Sequence, residues 1–356
     1  MDRLTRLKET IKTHGLDGMI ITGRPNTLYF SNFSGTTSYL LVTMNKSFLV
    51  VDFRYTIQAR QQVFPGIEVV ELTESFTTTL NTLINDNGVK LLGFEGNIMN
   101  YAEYSRFKEK LTSVTKWVDL GNEIGLLRII KDADEVEAIR QAASLGDKIF
   151  DHILTVIKPG LREYEVAAEM EYQMKKLGCK GPSFETIVAA GVRSAMPHGT
   201  ASEGIIKKGD AIVLDFGVIY HNYCSDMTRT IFVGEPDIEL IKIYDIVKHA
   251  QQTALESIVS GMAASAADGV ARDIIKNAGY GGCFGHSLGH GVGIEIHEEP
   301  RVSEKSTDTL LDGMVFTVEP GIYVDGLGGV RIEDMVVLEK GKPRVLTSST
   351  KSMIIL

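Results

Sequence analysis

At 356 residues the chain is long for one domain, and two is the expected number. Hydrophobic residues make up 44% and charged residues 23%, the proportions of an ordinary globular protein with apolar material for two cores. A net charge of −9 and a pI near 5.5 leave no general basic surface, which argues against nucleic acid or an anionic membrane as partner.

Cys179, Cys224 and Cys283 are odd in number, far apart and in no CxxC pattern, so reduced thiols are expected rather than a disulfide framework. The opening MDRLTRLKETIKTHG carries charges throughout and has no apolar stretch of the signal-peptide kind. No run approaches 18 uncharged apolar residues. A cytoplasmic location is the expectation.

Leu4, Leu7 and Ile11 fall at helical spacing, with Gly15 as the stop. Short β-rich runs follow: GMIIT from Gly18, SFLVVD from Ser47, IEVVEL from Ile67 and KLLGFEG from Lys90. Helical stretches over 55–62, 75–85 and 101–111 separate them, the pattern of an α/β domain. A boundary near 121–131 gives domains 1–125 and 126–356. Beyond it Val136, Ile139, Ala143, Ile149 and Ile153 mark an amphipathic helix that ends before Pro159-Gly160, and a second helix covers 163–177. Then ETIVAAG, AIVLDFGVIY, YCSDMTRTIFV, GMVFTVEPGIYV and GGVRIEDMVVLE read as strands, with helices over 238–257 and 264–277. Such runs predict an α+β domain with an antiparallel sheet.

The chemistry lies in this second half. Asp215 in DFG and Asp226 in SDMTRT fall on strand-like runs joined by a turn at His221-Asn222, which brings two carboxylates onto adjacent strands. HSLGHGVGIEIH supplies His286, His290 and His297, TVEPG supplies Glu319, and RIED supplies Glu333. Asp215 follows Ile212–Leu214, Glu319 follows Val315-Phe316-Thr317-Val318, and Glu333 precedes Met335-Val336-Val337. Acids on buried strands are costly unless neutralised, and several in one cavity repel one another. Two divalent cations, at +4 together, balance four carboxylates at about −4. Oxygen donors with one imidazole and no thiolate suit Mn²⁺ or Co²⁺, with Zn²⁺ or Fe²⁺ as the alternatives. Two such ions roughly 3.5–4 Å apart acidify a shared water, so the residue types predict metal-assisted hydrolysis.

VLDFG at 213–217, YCSDMTRT at 223–230, HSLGHGVG at 286–293, FTVEPGIY at 316–323 and GGVRIED at 328–334 together resemble the pita-bread metallopeptidases, in particular the proline-specific branch of prolidase and aminopeptidase P. NTLYFSNFSG at 26–35 and DFRY at 52–55 extend the resemblance to the N-terminal half. It implies a pita-bread catalytic domain with a curved antiparallel sheet, preceded by a smaller creatinase-like α/β domain, in a homodimer acting on short proline-containing peptides. By the same resemblance Asp215 chelates one metal, His290 and Glu319 bind the other, and Asp226 and Glu333 bridge the two. His198 of PHG lies at the substrate carbonyl or oxyanion, and His297 contacts the carbonyl.

His286, four residues before His290 at one helical turn's spacing, reads as a supporting or substrate-binding histidine. Arg331, two residues before Glu333 on a strand, faces the same side and orients a ligand carboxylate, as does Thr228 from beside Asp226. Phe184 in PSFETIV reads as a pocket wall or as core, and Tyr223 likewise. Arg301 in HEEPRVS resembles the arginine that some prolidases place at a dipeptide's carboxylate. The alternative for it is a surface cation paired with Glu298, Glu299 or Glu304. It favours Xaa-Pro dipeptidase over aminopeptidase P. A metal-free creatinase and an inactive pita-bread binding module are the remaining alternatives, and five intact ligands argue against both.

Overall fold

Asp2 accepts the amide proton of Thr5 and starts α1 (Arg3–Thr13), which stops where Gly15 takes a φ of +63°. Leu7 and Ile11 on its inner face are fully buried. The computed structural model describes residues 2–121 and 123–356. By contact density the chain divides into two units, Met1–Arg128 and Ile129–Leu356.

The first unit is built on a mixed six-stranded sheet. Its strands are β1 (Gly18–Ile21), β2 (Ser38–Thr43), β3 (Ser47–Val51), β4 (Ile67–Glu71), β5 (Leu91–Phe94) and β6 (Lys116–Asp119), in the order β4-β3-β2-β1-β5-β6. β2 runs antiparallel to both β1 and β3, and the other neighbours are parallel. The helices are α2 (Arg24–Ser31), α3 (Thr56–Gln62), α4 (Phe76–Asp86), α5 (Tyr101–Lys110) and α6 (Glu123–Leu126). Leu80 and Ile84 of α4 and Phe107 of α5 pack on Ile20, Leu41, Val50 and Leu92 of the sheet. Sequence patterning finds four of the six strands. It misses α2, α6, β2 and β6, whose signals are the weaker ones: β2 is assigned by the strands on either side of it rather than by its own alternation.

The second unit opens with α7 (Ala133–Ile153), started by a capping box between Asp132 and Glu135, and α8 (Glu163–Lys176). The strands are β7 (Gly181–Pro182), β8 (Ile187–Ala190), β9 (Ala211–Phe216), β10 (Val218–Tyr220), β11 (Tyr223–Cys224) and β12 (Met227–Phe232). Helices α9 (Ile238–Ser257) and α10 (Ala264–Ile275) follow, and then β13 (Gly289–Gly291), β14 (Glu298–Val302), β15 (Val315–Val318), β16 (Gly321–Val324), β17 (Gly328–Arg331), β18 (Asp334–Glu339) and β19 (Lys342–Val345). Every strand pairing described in this unit is antiparallel. α7 and α8 bury Phe150, Ile153, Val166 and Met170 against Val188, Leu214 and Ile231. α9 and α10 cover Phe316, Val330 and Val336. The α+β class expected from the sequence holds.

One expectation is corrected. Four of the five runs that read as single strands are broken, at Gly217, at Ser225-Asp226, at Glu319-Pro320 and at Ile332-Glu333. At each break the chain leaves one sheet segment for the next. Gly217 shows the cause: a Cβ there would lie 1.7 Å from the Ser225 carbonyl oxygen, so β9 and β12 close together only over a glycine. α10 also stops before Asn277, giving way to an irregular turn over Lys276–Tyr280 in which Gly279 has φ +95°. Among the described residues no helix is long and apolar enough to cross a membrane, and all three cysteines are free.

Candidate metal centre

Asp215 sits near the end of β9, opposite Thr228 of β12 in the antiparallel register. The turn that returns the chain carries positive φ at His221 (48°) and Asn222 (67°), as a two-residue hairpin turn demands. Asp226 stands just before β12. The bend that frees it is held by Ser225, whose backbone amide donates to the Val218 carbonyl at 2.9 Å and whose Oγ accepts from Val218 N at 3.0 Å. Glu333 lies between β17 and β18, its amide on the Thr228 carbonyl at 3.1 Å. Glu319 follows directly on β15, its amide on the Leu288 carbonyl at 2.8 Å. His290 comes from β13, beside β15.

These five side chains converge. Donor atoms of Asp226, His290 and Glu333 all lie within 4.8 Å of one another. His290 Nε2 is 3.5 Å from Asp226 Oδ2 and 3.5 Å from Glu319 Oε1. Asp215, Asp226 and Glu333 are buried. Burial, with the added repulsion of Glu333 and Asp215, pushes Asp226 well above the usual carboxylate range. Burial and the Glu319 and Asp215 charges do the same to Glu333. Glu319 is pushed up to about 8, chiefly by burial, against the pull of Arg331. Burial brings His290 down to about 4, so its contacts with the two carboxylates are those of a neutral imidazole and not ion pairs. Its Nδ1 faces the Gly291 carbonyl at 3.1 Å, which places the ring proton there and leaves the Nε2 lone pair toward the acids. Asp215 Oδ1 is buried with no hydrogen-bond partner among the described residues. An orphaned carboxylate oxygen, a directed imidazole lone pair and mutually repelling acids fit a divalent cation site.

Arg331, expected to orient a ligand carboxylate, faces Asp215, Nη2 to Oδ2 at 2.5 Å. Thr228, which stands two residues after Asp226, donates to Glu333 Oε2 at 2.6 Å. Thr317 Oγ1 donates to Glu319 Oε1 at 3.0 Å. The segment from His286 to His290 is not helical, so their spacing has a different meaning. His286 points Nδ1 at the Ser287 carbonyl (2.8 Å) and accepts at Nε2 from the Tyr323 hydroxyl (2.9 Å), and burial holds it near 4. Tyr323 in turn accepts from Arg331 Nη1 at 2.6 Å. The one signal in the sequence that marks Tyr323 is its place inside the FTVEPGIY motif.

His198 is exposed, in a loop after the turn Gly191–Ala195, close enough that its charge is felt by His286 and His297. The His297 ring lies 4.3 Å from that of His290. Phe184 is partly buried. Tyr223 is core, its hydroxyl donating to Glu135 at 2.9 Å. Arg301 stands across from His290 in the β13–β14 register with its side chain exposed. Glu298, one of the glutamates considered for it, pairs instead with Lys131 at 3.1 Å in a nearly dry setting.

Comparison with known proteins follows the same division of the chain. The model of metallopeptidase family M24 matches residues 137–340, and that of the creatinase/prolidase N-terminal domain matches 3–130. An Xaa-Pro dipeptidase of Pyrococcus furiosus is 40% identical over 355 residues, 99% of each chain. The structure of an Xaa-Pro dipeptidase from Bacillus anthracis superposes with a TM-score of 0.96 at 41% identity, covering 99% of both chains. That of an X-Pro aminopeptidase from Thermotoga maritima superposes at 0.94 and 38% identity over 100% of both.

Proposed function

We propose, for a chain that belongs to metallopeptidase family M24 and carries a creatinase/prolidase N-terminal domain, that it hydrolyses the bond before proline in Xaa-Pro dipeptides with two divalent metal ions. The observation that carries this reading is the convergence of Asp215, Asp226, His290, Glu319 and Glu333 on one buried site. Relatives named Xaa-Pro dipeptidase, similar over nearly the whole chain, support the substrate class.

Asp215 would hold one ion, His290 and Glu319 the other, with Asp226 and Glu333 shared between them. When bound, such ions polarise a carbonyl and acidify water. The chain's own residues do the rest. Thr228, Thr317 and Arg331 each donate to one carboxylate and fix its direction. Glu319 takes up and returns a proton at its carboxylate during the reaction. His198 and His297 donate to the substrate carbonyl, where negative charge develops. The X-Pro bond is a tertiary amide without an N–H, so the ring is gripped by shape rather than by that donor.

Aminopeptidase action on Xaa-Pro-Yaa is the second reading, favoured by the similarity to the Thermotoga maritima enzyme. Metal stripping with EDTA followed by Mn²⁺ or Co²⁺, assayed on Xaa-Pro, Xaa-Pro-Yaa and Xaa-Ala peptides, tests the proposal. Cleavage lost on stripping, restored by metal and confined to proline peptides is the expected result. Full activity without metal, or equal cleavage of Xaa-Ala, would overturn it.

A further inference from the structure

We propose that Glu163 is a positioning residue for His198, one carboxylate that ties together both arms of the loop presenting the imidazole. The inference rests on the placement of His198 at the substrate made above.

Glu163 is the first residue of α8, and its side chain is fully buried. Oε1 accepts from Ala190 N at 2.8 Å and from Arg193 Nε at 3.1 Å. Oε2 accepts from Arg193 Nε at 3.0 Å, from Ser202 N at 3.0 Å and from Ser202 Oγ at 2.5 Å. Ala190 and Arg193 precede His198 in the chain, and Ser202 follows it. Arg193 closes the loop a second time, giving Nη2 to the Thr200 carbonyl at 2.8 Å. The backbone amides of Glu163 and Tyr164 donate to the carbonyls of Gly204 and Ser202 at 2.9 and 3.1 Å. The outgoing arm therefore lies directly on the start of α8. At Gly204 a Cβ would stand 3.0 Å from the Glu163 carboxyl carbon, so the packing admits only glycine without adjustment.

Between these anchors the chain makes two tight turns, Gly199 N to the Met196 carbonyl (3.0 Å) and Thr200 N to the His198 carbonyl (2.9 Å). His198 itself is exposed, and its direction is set by its anchors rather than by packing around the ring. All of the groups that hydrogen-bond to the Glu163 carboxylate are donors. A carboxylate, with acceptor sites on both oxygens, satisfies them together, whereas a glutamine turns an NH₂ toward one arm and releases it. The buried charge is met by Arg193 and by the N-terminus of α8.

A group that acts only through His198 has nothing to lose once His198 is gone. The test is a double-mutant cycle of Glu163→Gln and His198→Ala, measuring kcat, KM, metal content and Tm with an Xaa-Pro substrate. Glu163→Gln alone is expected to lower kcat about 10- to 100-fold, the scale of lost positioning, with metal content unchanged. The double variant is expected to match His198→Ala alone. Losses that multiply, or metal lost from Glu163→Gln, would make Glu163 a general structural stitch and overturn the proposal. A His198→Ala variant with unchanged kcat would sink the role of His198 itself, and with it the role of Glu163. Should Glu163→Gln fail to fold, Ser202→Ala removes one contact to the same carboxylate and enters the same cycle under the same criteria.

Discussion

Thr228 Oγ1 donates to Glu333 Oε2 at 2.6 Å across 105 positions of the chain. The same hydroxyl accepts from Arg331 Nε at 3.1 Å, and the other end of that guanidinium reaches Asp215. Carboxylates contributed by β9 and by the β17–β18 junction are thus oriented by one relay. Thr228→Val keeps the side-chain shape and removes the relay. Metal affinity is expected to fall about 10- to 100-fold, the usual cost of losing a group that orients a ligand. Calorimetric titration with Mn²⁺ measures it, and an unchanged affinity would show that Glu333 needs no such support.

His198 lies outside the cluster of acids, so its loss separates chemistry from metal binding. His198→Ala is expected to lower kcat roughly 10²–10³-fold, the scale of one oxyanion donor. Metal content should remain at its wild-type level. Loss of metal from this variant would make His198 a ligand.

The acids of the site predict an unusual pH response. Glu319 is held up to about 8, and Asp226 and Glu333 are raised in the same direction. A carboxyl raised in the fold keeps a proton that the unfolded chain has released. Its stabilisation is therefore complete below the unfolded value and is lost as pH rises through the folded one. His286 and His290, held near 4, act oppositely, but only below the ordinary imidazole value of about 6.5. Between about pH 7 and 8.5 the metal-stripped protein should lose roughly 1 kcal/mol of stability from Glu319 alone. Binding of Mn²⁺ should release protons and remove the decline, since metal replaces the proton on each acid. Thermal unfolding across that range, with and without metal, checks the sign. A stripped protein that gains stability with pH would show the acids ionised already.

A variant at Arg301 tests the choice between the two substrate lengths. A dipeptide ends in a carboxylate at a fixed distance from the cleaved bond, and a charge-assisted pair there contributes about 1.5–3 kcal/mol. That corresponds to roughly 10- to 150-fold in kcat/KM. Arg301→Ala should hurt Xaa-Pro by that factor and Xaa-Pro-Yaa much less. Equal losses on both peptides, or none, would move aminopeptidase action to first place.

Residue types alone marked the acids of the site. Asp215, Glu319 and Glu333 each adjoin an apolar β run, and a charge in that setting needs a neutralising partner wherever the chain goes. The helix pairs of the second unit and most strands were legible for the same local reason, the period of their apolar residues. The breaks in the long β runs were not. They fall at Gly217, Asp226, Glu319 and Glu333 because other strands arrive there, and periodicity carries no trace of a neighbour. The partners of the supporting groups were hidden in the same way. Thr228 is next but one to Asp226 in sequence and yet bonds to Glu333, Arg331 turns to Asp215, and Glu163 holds a loop some thirty residues away. A carboxylate's need for a counter-charge belongs to the residue and can be read from the sequence, whereas the identity of its hydrogen-bond partner depends on which strands the fold places side by side.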